Sequence, residues 1–267
     1  MLGKKRVAVC FSGQLRDWQF ATKNILNYFY TSGMPDVSVD YFIHTWDINT
    51  WRVSKENHNA CTTTRHKDIK RIVKAYKPAA YHMSAYDSGR WPRAWDPLFY
   101  SFEYSMLLKR QYELENNFVY DIVIKARPDT VYDPANHFPF YHGILDGSCY
   151  TTTNINRFPR EFNMQCFDDV MFFGDSKTMD VMSGLYKYYN LKNKNSYILE
   201  KSQTPPIDID TNIYLGPGTL LYQYAVTHNI HPAVYNINYA ILRSTMRNKG
   251  LDSVADYDKI RKLWLEW

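Results

Sequence analysis

Two stretches of this chain leave no room for a polar face. "RVAVCFSG" (6–13) is apolar until it ends in Ser-Gly, and "YDIVIKAR" (120–127) sets Ile122, Val123 and Ile124 side by side. A strand that alternates apolar and polar residues can rest one face on water. A strand apolar at every position must be covered on both faces, which is the habit of parallel sheets flanked by helices.

The intervening chain supplies those helices. "QFATKNILNYFYTSG" (19–33) reads as a helix with Ile25, Leu26 and Phe29 on one face and Gly33 as a stop. "VSVDYFIHTWD" (37–47) is a second strand, "HKDIKRIVKAYKP" (66–78) an amphipathic helix closed by Pro78, and "AAYHMSAY" (79–86) a third strand. Asp96-Pro97 predicts a helix start with an N-cap aspartate, running to about Asn116 before the fourth strand. This alternation predicts an α/β fold with a mostly parallel, Rossmann-like central sheet, whose ligands bind at the carboxyl ends of its strands.

Beyond residue 133 the pattern loosens. "SCYTTTN" (148–154) and "CFDDVMFFGD" (166–175) are strand-like, 176–190 and 217–229 helical, 232–242 a late strand, and 254–267 a short amphipathic helix. Residues 191–216 read as a long polar loop. With 267 residues, the chain is expected to form one domain of two halves: 1–133 for a nucleotide-bearing ligand and 134–267 for a second substrate.

Charge and cysteine usage narrow the function. A formal charge of +5 from 32 basic and 27 acidic residues suits a phosphate-bearing ligand. The basic residues form no continuous stripe, which argues against a nucleic-acid partner. Lys67, Lys70, Arg71 and Lys74 share one helix and read as a solvated face. Cysteines 10, 61, 149 and 166 make no C-x-x-C pair and no zinc spacing. The apolar start is too short for a signal peptide, and no window is long enough to span a bilayer. A soluble, cytoplasmic protein is the expectation.

Four groups fall where such a sheet places its site. Ser12, Gly13 and Arg16 follow the first strand and precede a helix, whose open N–H groups suit a phosphate. The sequence there is neither G-x-x-x-x-G-K-[ST] nor G-x-G-x-x-G. His44, Trp46 and Asp47 end the second strand; they read equally as a satisfied histidine, a core ring and a loop cap. Arg127 and Asp129 straddle Pro128, which ends regular pairing. They form either an ion pair stapling the loop or a clamp for a pyrophosphate and a divalent cation, with Asp133 as a further carboxylate. Asp168 and Asp169 precede a strand, and one of them could serve as a general base. Asp208 and Asp210, in a proline-bearing loop, read as surface.

Taken in order, "VAVCFSGQLRDW", "DYFIHTWD", "DIVIKARPDTVY", "FDDVMFFGDSKTMD" and "GTLLYQYAVTHNI" resemble a family of GT-A type glycosyltransferases, with the motifs S-G-Q-x-R, H-x-W-D and R-x-D. The resemblance spans roughly residues 6–242. It implies a nucleotide-sugar donor contacted by Ser12, Gly13, Arg16, His44, Asp47, Arg127 and Asp129, and a carbohydrate acceptor near Asp168 or Asp169. It also implies Mn²⁺ or Mg²⁺ held against the diphosphate. Arg127 stands where the family carries the first aspartate of D-x-D, so Asp129 is the one metal ligand left. "GPGT" replaces a glutamate that many relatives have before the late helix. Trp91 and Trp95, in a loop with Arg90 and Arg93, are candidates for stacking on a sugar. A non-catalytic, transferase-like binding module is the alternative.

Overall fold

In the computed structural model, the described residues are 4–29, 36–52, 59–64, 66–87, 95–132, 138, 140, 143–152, 166–192, 217–235, 237 and 239–241. The chain builds β1 (Lys5–Ser12), α1 (Trp18–Phe29), β2 (Val37–Trp46), β3 (Ile48–Arg52), β4 (Asn59–Thr63), α2 (His66–Tyr76), β5 (Ala80–Ser84) and α3 (Asp96–Asn116). It continues through β6 (Ile122–Ala126), β7 (Thr130–Tyr132), β8 (Ser148–Thr152), β9 (Phe172–Gly174), α4 (Ser176–Ser183), α5 (Leu185–Lys192), α6 (Pro217–Thr227), β10 (His231–Tyr235) and β11 (Tyr239–Ile241).

Seven strands form one sheet in the order β10-β8-β9-β6-β1-β2-β5. β5, β2, β1 and β6 run parallel, and β10 is parallel to β8. β9 alone runs against both its neighbours. The α/β class, the mostly parallel sheet and the mixed strands of the second half are those expected.

β1 occupies the middle because it can be covered on both faces. Val7, Val9 and Phe11 pack with Ala21, Ile25 and Tyr28 of α1 and Ile69, Ile72 and Tyr76 of α2. Ala8 and Cys10 point the other way, onto Phe99, Phe102 and Met106 of α3, Met179 and Met182 of α4, and Leu221 of α6. Lys67, Lys70, Arg71 and Lys74 are exposed on α2, the solvated face their spacing predicts.

Several boundaries move. Trp95 holds the N-cap position of α3 with no side-chain cap bond, so Asp96 lies inside the first turn rather than capping it. The helix predicted over 176–190 breaks at Gly184 into α4 and α5, with Asp175 capping α4 by accepting from Thr178 N–H at 2.8 Å. Only Phe172–Gly174 of the strand-like run 166–175 is strand. The late strand is two strands in different sheets, β10 in the large one and β11 paired antiparallel to β7. The β3–β4 hairpin was not legible, since neither segment carries an apolar alternation. The end of the first helix at Gly33 and the C-terminal helix over 254–267 lie outside the described residues, as does most of the 191–216 loop.

A buried ion network locks α3 to α4. The Lys109 ammonium is fully buried and meets Glu113 Oε2 at 2.9 Å and Asp180 Oδ1 at 2.9 Å, while donating to Ser176 Oγ at 2.5 Å. Glu113 Oε1 accepts from Ser176 Oγ at 2.8 Å and from Tyr120 N–H at 2.9 Å, which fixes the entry to β6. Removing the ammonium would leave two carboxylates with little solvent to replace it. We expect Lys109→Met to cost about 3 kcal/mol or more, read as a lowered urea midpoint. An unchanged midpoint would mean the network adds nothing to the fold.

Candidate functional site

The carboxyl ends of β1 and β2 are tied to α3 through one serine. Gly13 sits at φ +119°, a conformation suited to glycine, and its N–H donates to Ser101 Oγ at 2.7 Å. His44 Nδ1 lies 2.8 Å from the same hydroxyl, and Nε2 lies 2.9 Å from Ser84 Oγ on β5. Ser101 Oγ is 3.4 Å from the His44 carbonyl, so its proton is better placed on Nδ1. That assigns the ring proton to Nε2, which donates to Ser84. Burial, with the neighbouring His82, lowers the His44 pKa to about 3. His44 is therefore a neutral, fully satisfied histidine joining β1, β2, β5 and α3.

Its neighbours behave alike. Trp46 is buried within an aromatic group that includes Tyr86 and Tyr100. Asp47 Oδ1 accepts from Tyr86 N–H at 2.8 Å, which caps the loop after β5. Ser12 is buried and its hydroxyl has no hydrogen-bond partner among the described residues. Arg16 is half-buried in the turn before α1, next to Asp17, whose φ is +48°.

A second group forms where β6 ends. Arg127 Nε and Nη2 donate to Asp129 Oδ1 and Oδ2 at 2.8 and 2.7 Å, a bidentate pair across Pro128. The Arg127 side chain is 17% exposed and that of Asp129 1%. Burial alone would lower the Arg127 pKa; Asp129 beside it, helped by Asp169 and Asp168, holds it above the usual value. The chain then enters β7, whose Tyr132 exchanges two main-chain bonds of 2.7 Å with the Asn24 amide of α1.

The 167–171 turn meets this group from the side. Asp168 is buried, with Oδ1 accepting from Val170 N–H at 3.0 Å and Oδ2 from the Tyr239 hydroxyl of β11. Its own N–H donates to Thr151 Oγ1 at 2.7 Å. Asp169 is half-buried, and with Lys125 it borders a shallow, mostly apolar recess between Leu98, Phe99, Phe102, Phe172 and Leu221. Gly218 at the start of α6 presses on this turn. A Cβ there would stand 2.1 Å from the Phe167 carbonyl oxygen, and Phe167 N–H donates to the Gly218 carbonyl at 3.0 Å.

The structure thus brings Arg127, Asp129, Asp168 and Asp169 together and gives the two adjacent aspartates different environments. Asp168 is buried and held on both oxygens, whereas Asp169 is half-buried. Trp95 packs against the second apolar cluster. Trp91, Arg90, Arg93, Asp133, Asp208 and Asp210 lie outside the described residues. Ser101, Lys125 and Tyr239 are not among the candidate site residues of the sequence reading, in which Lys125 stands as a transition residue at the end of the buried strand. Lys125 alone carried a signal, a charge inside an apolar run.

The residues present do not fit a divalent metal as arranged. Such an ion takes oxygen donors in near-octahedral geometry. Asp129 is buried with both oxygens bound to a guanidinium, and no group of three or more His, Cys, Asp or Glu among the described residues could hold an ion. No helix among the described residues is long and apolar enough to cross a membrane.

No family model matches the chain, and no curated protein does. Among solved structures it is similar to a glycosyltransferase involved in the glycosylation of the major capsid of PBCV-1, with 7% identity, a TM-score of 0.39, and coverage of 87% of this chain and 82% of that one.

The His44 assignment predicts an acid limb in stability. The folded ring resists protonation down to about 3, whereas the unfolded ring takes a proton near its ordinary 6.5. Between those values the unfolded state binds more protons, so stability falls as pH drops. His44→Gln should remove about 1.4 kcal/mol per pH unit of that slope, measured as urea midpoints from pH 7 to pH 4. Parallel wild-type and variant curves would mean the ring titrates alike in the folded and unfolded protein.

Proposed function

We propose that the protein is a glycosyltransferase that moves a sugar from a nucleotide donor to a hydroxyl of a carbohydrate acceptor. The observation that carries this reading is the meeting of the Arg127–Asp129 turn with the Asp168–Asp169 turn at the carboxyl end of β6, in a parallel sheet whose ligand edge lies there. The order of the S-G-Q-x-R, H-x-W-D and R-x-D motifs supports the same reaction class. On this reading residues 1–133 hold the donor and 134–267 the acceptor.

Each group then has a role. Gly13 and Arg16, at the turn after β1, lie on the donor side, with Ser12 buried behind them. Arg127 is the less buried member of its pair, with Asp129 fixing its plane and Nη1 left to meet a phosphate oxygen. Gly13 and His44 contribute by holding the strand ends in place. Asp169 takes the proton of the acceptor hydroxyl as its oxygen bonds to the anomeric carbon. The bond from that carbon to the diphosphate breaks, and the leaving group departs with the electron pair against the arginines. This is an inverting displacement.

The first test is thermal shift with UDP, GDP, dTDP and CMP and their sugar derivatives, each with Mn²⁺ and with EDTA. A bound ligand raises the melting temperature in step with its excess over Kd. We expect one nucleotide family to stabilise the protein and the effect to survive EDTA. Loss of the shift in EDTA would mean that a metal displaces Arg127 from Asp129. With the donor identified, Asp169→Asn should lower turnover by about 10²- to 10⁴-fold with donor affinity retained. Full turnover would remove Asp169 as the base. The buried, doubly bonded Asp129 also favours a second reading, a non-catalytic binding module. That reading requires that the stabilising nucleotide sugar be neither transferred nor hydrolysed.

A further inference from the structure

Beneath the 167–171 turn lies a charge that this reaction scheme does not use. Lys125 is the fourth residue of β6 and is 1% exposed, between Cys10 of β1 and Phe172 of β9 in register. Its Nζ donates to the main-chain carbonyls of Asp169 and, at 3.3 Å, Val170. It lies 5.6 Å from the centre of the Phe172 ring. The ammonium is thus anchored on two carbonyls rather than on a carboxylate.

That arrangement is costly. A buried charge is tolerated when its surroundings replace water, and two carbonyls replace it incompletely. Burial lowers the Lys125 pKa to about 8; Asp169 opposes the shift, Arg127 adds to it, and Asp168 and Asp129 oppose it more weakly. An apolar side chain of similar length would fill the slot without that penalty. The ammonium does one thing that such a residue cannot. It holds the carbonyls of two successive peptides, Asp169–Val170 and Val170–Met171, and so fixes the backbone from which the Asp169 side chain leaves.

We propose that Lys125 is a positioning residue that aims Asp169 at the acceptor hydroxyl by gripping the main chain of its turn. The inference rests on Asp169 being the general base. A displacement of about 1 Å in such a group costs on the order of 100-fold in rate, so the grip acts on turnover rather than on donor binding.

Three variants separate the possibilities: Lys125→Met, Lys125→Arg and Asp169→Asn. Each is assayed with the nucleotide sugar that stabilises the wild-type protein, by release of nucleoside diphosphate and by transfer. Lys125→Met should lower kcat by about 100-fold while the donor Kd stays within twofold, and Lys125→Arg should recover part of the loss. If Asp169→Asn is impaired and Lys125→Met turns over at the wild-type rate, the positioning role is overturned. If Asp169→Asn is fully active, the base assignment fails instead. A probe on the unaltered protein covers the case in which Lys125→Met does not fold. Amide exchange across 167–171, corrected for intrinsic rates, should quicken at least tenfold from pH 7 to pH 9.5 as Lys125 loses its proton. The groups facing Lys125 are Asp169, Asp168, Asp129, Arg127 and the Cys10 thiol, which burial pushes upward. Carboxylates and guanidinium groups do not ordinarily titrate in that interval. Unchanged protection at pH 9.5 overturns the proposal.

Discussion

A strand buried on both faces can carry polar chemistry only where it emerges. β1 is covered by α1 and α2 on one side and by α3, α4 and α6 on the other, and β6 beside it is buried at every position. Their candidate site residues are therefore gathered at the carboxyl ends, at Ser12–Gly13 and Arg127–Asp129. The same constraint explains why the loops at that edge are braced by hydrogen bonds rather than by apolar packing. Gly13 leans on Ser101, Asp47 holds Tyr86, and Asn24 stands in for a missing strand beside β7.

Two buried lysines show how the fold handles charge that does not reach the edge. Lys109 is neutralised by Glu113 and Asp180, and its network joins α3 to α4 and to the start of β6. Lys125 has carbonyls for partners, and burial lowers its pKa to about 8. The first is a closed structural lock. The second sits below the carboxylate that the proposed chemistry needs and touches its backbone.

The Arg127–Asp129 pair links these levels. Its sequence admitted two readings, a staple or a phosphate clamp. The geometry is that of a staple on the aspartate side, both oxygens being bound at 2.7–2.8 Å, while the arginine stays partly exposed. One pair can therefore close the turn and still present a cation. A similar division separates Asp168 from Asp169. Adjacent residues leave the backbone in different directions, so Asp168 enters the core to meet Tyr239 while Asp169 stays half-buried at the turn.

The sequence by itself determined the α/β class, the four parallel strands of the first half with the helices between them, and the solvated face of α2, because these follow from local runs and periodicities of apolar residues. It also marked the strand ends at which Ser12, His44, Arg127 and Asp168–Asp169 stand. Only the tertiary structure decided which of these are satisfied from within. The partners of His44, Ser101 on α3 and Ser84 on β5, lie far along the chain, and no local pattern encodes them. The reversed direction of β9, the split of the late strand into β10 and β11, and the meeting of Tyr239 with Asp168 likewise rest on contacts between distant segments. Local sequence sets how a segment buries its own side chains. The pairing of buried polar groups across the fold is fixed only when those segments pack.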